Sequence, residues 1–231
     1  ALFRRPSTAG ASASLRLMKR HLVIFARTPQ AGRVKRRLGA EIGMREAARF
    51  YRRILDAQIR RMVRDPRWTV WLFVTPDTTL GHPAWHLVPV ARRKPQRQGD
   101  LGRRMKLPFT TLPAGPMVLV GSDIPAMRPS HIARAFALLG TQDLVFGPAR
   151  DGGFWLFGTR RVKPLPHSLF AGVRWSTSTA LADTLAGLPH HITAALADTL
   201  DDVDDAEAFH QWSALRPTSP SSANRVRASR P

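Results

Sequence analysis

Five runs in this chain, HLVIFAR (21–27), TVWLFVT (69–75), MVLVG (117–121), DLVFG (143–147) and FWLFG (154–158), have strand length and stay apolar almost throughout. A strand with one wet face alternates apolar with polar residues, whereas one buried on both faces does not. Segments of helical period lie between these runs. Ala47, Tyr51, Ile54, Leu55, Gln58 and Met62 recur at three-and-four spacing and predict a helix over 43–64, with arginines on its other face. Pro129 opens a predicted helix at 129–139. Further helices are predicted at about 177–187 and 205–214, with strands at 86–90 and near 191–196. Buried strands with intervening helices require a sheet covered on both faces, an α/β sandwich. No apolar run approaches the roughly 20 residues of a membrane-spanning helix.

The length of 231 residues suits one large domain or two small ones. The chain has no cysteine, which excludes disulfides and thiolate metal sites and fits the expected location, a reducing cytoplasm. Its formal charge is +20. Arg4, Arg5 and Arg16 in residues 1–17, and Arg216, Arg225, Arg227 and Arg230 in residues 213–231, supply seven of those charges with no acid among them, leaving +13 on the middle of the chain. The first 17 residues resemble a transit peptide in composition, but an unstructured leader before Met18 is the expected reading. The Pro/Ser/Arg-rich end from residue 213 reads as a disordered basic tail, which leaves 18–212 as the folded domain. Such a charge suits either a nucleic-acid surface or a site that handles phosphates. The second is expected, because no aromatic-basic interleaving of an RNA-binding type is present.

Three stretches carry candidate chemistry. MVLVGSDIPAM (117–127) ends a buried strand on Asp123, set between Gly121, Ser122 and Pro125. Ligands of open α/β sheets bind beyond the carboxyl ends of the strands. A carboxylate there suits a hard divalent cation that also takes phosphate oxygens; capping of the following helix is the alternative. TPQAGRVKRRLG (28–39) follows the first strand as a loop carrying Lys35, Arg36 and Arg37, either a phosphate cradle or a solvated basic turn. LDDVDDAEAF (200–209) is an acidic cluster in a chain short of acids, and capping of its own helix is a sufficient reason for it.

Taken in order, HLVIFARTPQAGRVKRRLG, QGDLGRRM, VLVGSDIP, GPARDGGFWLFG, WSTST and DDVDDAEAF resemble a bacterial glycosyltransferase family, the radical-SAM/selenodomain-associated and arsenosugar-biosynthesis transferases. The resemblance spans about residues 18–212. It implies a three-layer, mostly parallel glycosyltransferase-A fold, related to phospholactate guanylyltransferase and the molybdenum-cofactor nucleotidyltransferases. By the same resemblance, Lys35 and Arg37 meet nucleotide phosphates, and Gln98, Gly99 and Asp100, with Arg104 beside them, line the nucleotide. Asp123 is the metal-binding acid, a counterpart of the glycosyltransferase Asp-x-Asp, and Asp202 and Asp204 form a later carboxylate pair for the metal. Asp151, Gly152 and Gly153 make an acceptor-side loop, with Trp175, also on the acceptor side, and Ser176 and Thr177 in a further shared segment. Arg36 stands where the family more often has Thr, and Asp205-Ala206 where it has Thr-Pro. The implied activity is Mg²⁺- or Mn²⁺-dependent transfer from a nucleotide sugar to a small acceptor, with Asp123 and Asp151 catalytic. Nucleotidyl transfer from a nucleoside triphosphate is the alternative, and a basic nucleic-acid-binding module is the rival from another class.

Overall fold

The computed structural model describes residues 18–214. The leader expected at 1–17, and the expected tail from residue 215 on, lie outside the described residues. In chain order the elements are β1 (His21–Arg27), α1 (Arg36–Ile42), α2 (Met44–Val63), β2 (Thr69–Thr75), β3 (Arg93–Pro95), α3 (Leu101–Thr111), β4 (Met117–Gly121), α4 (Pro129–Leu138), β5 (Leu144–Pro148), β6 (Phe154–Thr159), α5 (Ala180–Ala186), β7 (Ala194–Leu196) and α6 (Ala206–Ala214). The strands form one seven-stranded sheet in the order β3-β2-β1-β4-β6-β5-β7. Only β6 runs against its neighbours, so the sheet is mostly parallel, as expected.

The pleat sends alternate residues of each apolar run to opposite faces. Leu22, Ile24, Val118 and Val120 pack under Tyr51, Leu55 and Ile59 of α2 and Ile132 and Phe136 of α4. Val23, Phe73, Leu119 and Phe157 pack on the other face against Met105 and Phe109 of α3, with Leu181 and Leu185 of α5 beside them. Both faces are thus dry, which is why the runs do not alternate. Burial of each such side chain stabilises the fold by about 1.5–3 kcal/mol.

Three expectations about local structure need correcting. HLVPV (86–90) is not a strand: short 3₁₀ turns at Pro83–Trp85 and Val90–Arg92 flank it, and the edge strand comes at β3. Val88 within it and Trp85 just before it are fully enclosed without strand pairing, the Trp85 indole donating to the Thr79 carbonyl at 2.7 Å, while Val90 faces solvent. The loop read at 28–39 ends at Lys35, because buried Leu38 anchors α1. Farther along, α3 opens at Leu101, its first turn capped by Asp100 accepting from the Arg103 amide at 2.7 Å. The tail expected from residue 213 starts two residues too early, since Ser213 and Ala214 complete α6, the helix expected at about 205–214.

Candidate functional site

Strands β1, β2 and β4 are parallel, so Arg27, Thr75 and Asp123 emerge at one edge of the sheet. Since β6 is antiparallel to both β4 and β5, β5 runs with β4, and the β5–β6 turn carrying Asp151 arrives at the same edge. Small residues at the end of β4 have a spatial reason. A Cβ on Gly121 would lie 3.1 Å from an Asp123 carboxylate oxygen. The Ser122 hydroxyl is 2.7 Å from the Tyr51 hydroxyl, which also accepts from the Arg27 amide at 3.0 Å. Tyr51, buried and pushed up to about 12 chiefly by that burial, is a neutral pin between the ends of β1 and β4. Gln58 of α2 donates to the Ile124 carbonyl and fixes the next step of the same loop.

Two further carboxylates come from the other end of the chain. Residues 197–205 cross from β7 at the sheet margin to α6, which packs with Val203 on Leu38, Phe50 and Ile54 of α1 and α2. The Ala197 and Leu200 amides donate to Phe146 and Pro148 carbonyls, the Trp155 indole donates to the Asp198 carbonyl, and the Leu38 amide donates to the Asp204 carbonyl. Asp202 and Asp204 are thereby carried to Asp123, and one oxygen from each of the three lies within 4.8 Å of the others. Asp205 does the capping expected of an acidic helix start, accepting from the Ala208 amide at 2.9 Å.

Lys35 closes this cluster. It takes a left-handed conformation, φ 44°, just before α1. Its ammonium donates to Asp204 at 2.5 Å and Asp123 at 2.8 Å and stands 3.6 Å from Asp202, with 4% of the side chain exposed. Burial opposes its charge, but Asp123, Asp204 and Asp202 together outweigh burial and hold it well above the ordinary lysine range. For Asp202, burial and the neighbouring Asp204 and Asp123 charges outweigh Lys35 and push the carboxyl up to about 7. Asp204 is partly enclosed too, which opposes its charge, but its contacts with Lys35 bring it below its ordinary value. Three oxygen donors so close together could hold a hard divalent cation, and Lys35 supplies positive charge at the same place.

Two cavities meet at Asp123. The first, about 410 Å³, is lined by Lys35 and by Arg27, Arg33, Arg36, Arg37 and Arg104. Ion pairs hold Arg67, Arg134, Arg150 and Arg174 elsewhere, and among the described residues none involves these five arginines. Arg104 is held by the Gln96 side-chain carbonyl, while the Gln96 amide donates to the Ala26 and Phe73 carbonyls. Burial and the nearby Arg27 outweigh the Asp77 charge and lower the Arg104 guanidinium below its ordinary value. The second cavity, about 280 Å³, is lined by Phe25, Met105, Leu119, Phe154 and Trp175, with Asp123, Asp151 and Asp202 at its polar side.

The family model for uncharacterized proteins conserved in bacteria, DUF2064, matches residues 58–177. The chain belongs to DUF2064. No protein of curated function matches it. Among solved structures, a Desulfovibrio desulfuricans G20 protein provisionally named a nucleotide-diphospho-sugar transferase is 27% identical, with 90% of this chain and 91% of that one covered and a TM-score of 0.78. The fold is also that of 4-diphosphocytidyl-2C-methyl-D-erythritol synthase from Anaerococcus prevotii DSM 20548, at 6% identity, 87% and 97% coverage and TM-score 0.56. It is shared too by the inositol-1-phosphate CTP transferase of T. maritima, at 12% identity, 82% and 91% coverage and TM-score 0.53. This is the glycosyltransferase-A-like architecture implied by the motifs. Among the described residues, no helix is long and apolar enough to cross a membrane.

In this DUF2064 chain the structure gathers Lys35, Arg37, Arg104, Asp123, Asp202 and Asp204 at one place, but sets Lys35 among the carboxylates. Gln98, Gly99 and Asp100 are exposed and line neither cavity; Asp100 caps α3. Asp151, Gly153, Trp175, Ser176 and Thr177 line the second cavity. Gly152 does not: at φ 84°, its added Cβ would meet the Ser178 carbonyl oxygen at 1.9 Å, so it answers to the chain's own backbone. Sequence reasoning missed Arg27, Arg33 and Gln96 as lining residues and Tyr51 as the pin. Arg27 did carry a signal, as the polar residue that closes the first apolar run; Gln96 did not, because β3 was not expected there.

Proposed function

We propose that the chain is a metal-dependent glycosyltransferase that moves a sugar from a nucleotide donor to a small acceptor. One observation carries this: an arginine-lined cavity and an aromatic, acid-edged cavity meet at Asp123, so a polyanion and a non-phosphorylated group face one carboxylate. In this reading Arg27, Arg33, Arg37 and Arg104 bind the donor diphosphate with charge-assisted hydrogen bonds. Asp123, Asp202 and Asp204 would hold Mg²⁺ or Mn²⁺, which would supply positive charge to neutralise the leaving phosphate. Lys35 serves the same charge balance, its flexible stem letting it share between carboxylate and phosphate. The acceptor oxygen forms a bond to the anomeric carbon as the bond from that carbon to the diphosphate oxygen breaks. The electron pair leaves with the nucleoside diphosphate, and Asp151 receives the acceptor proton.

The test is phosphorus NMR of the full chain with Mn²⁺ and a mixed panel of nucleotide sugars and nucleoside triphosphates. Release of nucleoside diphosphate from a nucleotide sugar is expected, and Asp123→Ala abolishes it while the protein keeps its fold. Pyrophosphate from a triphosphate, with every nucleotide sugar untouched, would replace this reading with nucleotidyl transfer. Full activity of Asp123→Ala, or of the wild type in excess chelator, would remove the metal from it.

A further inference from the structure

We infer that the second cavity selects a non-anionic acceptor, one with a flat apolar face and a hydroxyl or amine that donates to Asp151. This rests on the transferase reading and adds the chemical class of the molecule that receives the group. Lys and Arg number 36 in this chain, yet no Lys, Arg or His lines the cavity. Its charged lining residues are Asp123, Asp151 and Asp202, all acids. The two arginines flanking its rim in sequence are already neutralised. Arg150 lies 3.0 Å from Asp201, and Arg174 makes a two-pronged pair with Asp183 at 2.8 and 3.0 Å. The neighbouring cavity, with five arginines and a lysine, shows what this chain builds for a phosphate. Asp123 and Asp202 share Lys35 on their far side, but a phosphorylated acceptor would find no Lys, Arg or His on the wall of this cavity and would face Asp151 with no counter-charge between them, a repulsion that low local dielectric makes more costly.

The apolar side of the argument is equally specific. Trp175 is wedged against Phe154 and Phe170, with ring centroids at 6.1 and 5.7 Å, and presents to the cavity a surface suited to a ring or the apolar face of a sugar. Asp151 is exposed and accepts one bond, from the Gly153 amide to Oδ1 at 2.9 Å, which leaves Oδ2 for a ligand donor. A cationic or neutral donor group therefore meets a positioned acceptor, while an anion meets repulsion.

The probes are 2-phenylethanol, phenethylamine and phenyl phosphate, titrated without any donor nucleotide into the full chain labelled with 5-fluorotryptophan. Fluorine NMR reads the Trp175 resonance, assigned by its loss in Trp175→Phe, so binding in the arginine-lined cavity is not mistaken for binding here. The alcohol and the amine should shift that resonance, with phenyl phosphate at least about tenfold weaker. Asp151→Asn should remove the advantage of the amine over the alcohol. Ser176→Lys, at an exposed rim position, should bring phenyl phosphate to within about threefold of the alcohol. Phenyl phosphate as tight as the alcohol in the wild type, or no Trp175 shift with either the alcohol or the amine, would overturn the inference. The ranking is read with no donor present, so pyrophosphate release in the transfer assay would sink the glycosyl reading while leaving this assignment to stand or fall separately.

Discussion

Replacing Lys35 with methionine keeps the stem and deletes the one cation among three carboxylates. Loss of one partner from a buried ion pair destabilises by about 3–5 kcal/mol. Here the acids are only partly enclosed, with 33%, 38% and 47% of the Asp123, Asp202 and Asp204 side chains exposed, so water meets part of the loss. Halving for that screening leaves about 1.5–2.5 kcal/mol. For a domain of this size that is a fall of roughly 3–10 °C in Tm. The loss should shrink at acid pH, where the carboxyls take up protons instead. Mn²⁺ should raise Tm more in Lys35→Met than in the wild type, because no ammonium has to leave first; a ligand at 100 times its Kd adds about 2.7 kcal/mol. Differential scanning calorimetry with and without Mn²⁺ reads all of this. Equal melting of the two proteins, with Mn²⁺ shifting both alike, would refute the view that Lys35 occupies the cation position of the cluster.

Tyr51→Phe leaves the Ser122 hydroxyl and the Arg27 amide without their partner and should cost about 1–3 kcal/mol in urea unfolding, with donor binding weakened as the ends of β1 and β4 loosen. Asp202, pushed up to about 7, holds its proton longer when folded than when unfolded. Its contribution to stability is therefore full below the ordinary carboxylate range and is lost as pH rises through about 7, while Mn²⁺ affinity moves the opposite way. Calorimetric titration should find Mn²⁺ bound roughly tenfold tighter at pH 8 than at pH 6, and a flat profile would contradict the role given to Asp202. Gly152→Ala puts a methyl against the Ser178 carbonyl and should lower Tm and shift the Asp151 turn, visible as a drop in kcat larger than any change in donor Kd.

The layers of the fold were legible because a dry strand leaves a plain mark: β1, β2, β4, β5 and β6 were each read from an unbroken apolar run. HLVPV shows the limit of that mark, since a buried turn around Trp85 and Val88 is as apolar as a strand and only Pro89 argues against pairing. The acids of the site were visible one by one, Asp123 at a strand end and Asp202 and Asp204 as an oddity of composition. Their meeting was not, because Lys35 and Asp204 are separated by 169 residues and no local period reports such a contact. Gln98 came with the family segment, whereas Gln96, two positions earlier, follows β3, a strand the apolar pattern placed at 86–90 instead.

Every strand of the sheet precedes Asp202 in the chain, so the crossing segment closes over a sheet that is already complete in sequence. From an unfolded chain, joining Lys35 to Asp204 means closing a loop of 169 residues. Once β7 is paired, about eight residues separate its end from Asp204, and the closure entropy falls by about 2.7 kcal/mol. Sheet first and site last is the favourable order of assembly, and the reverse order holds on heating. Amide hydrogens at residues 201–206 should exchange before those of β1 and β4, so activity is lost at temperatures where the sheet still stands.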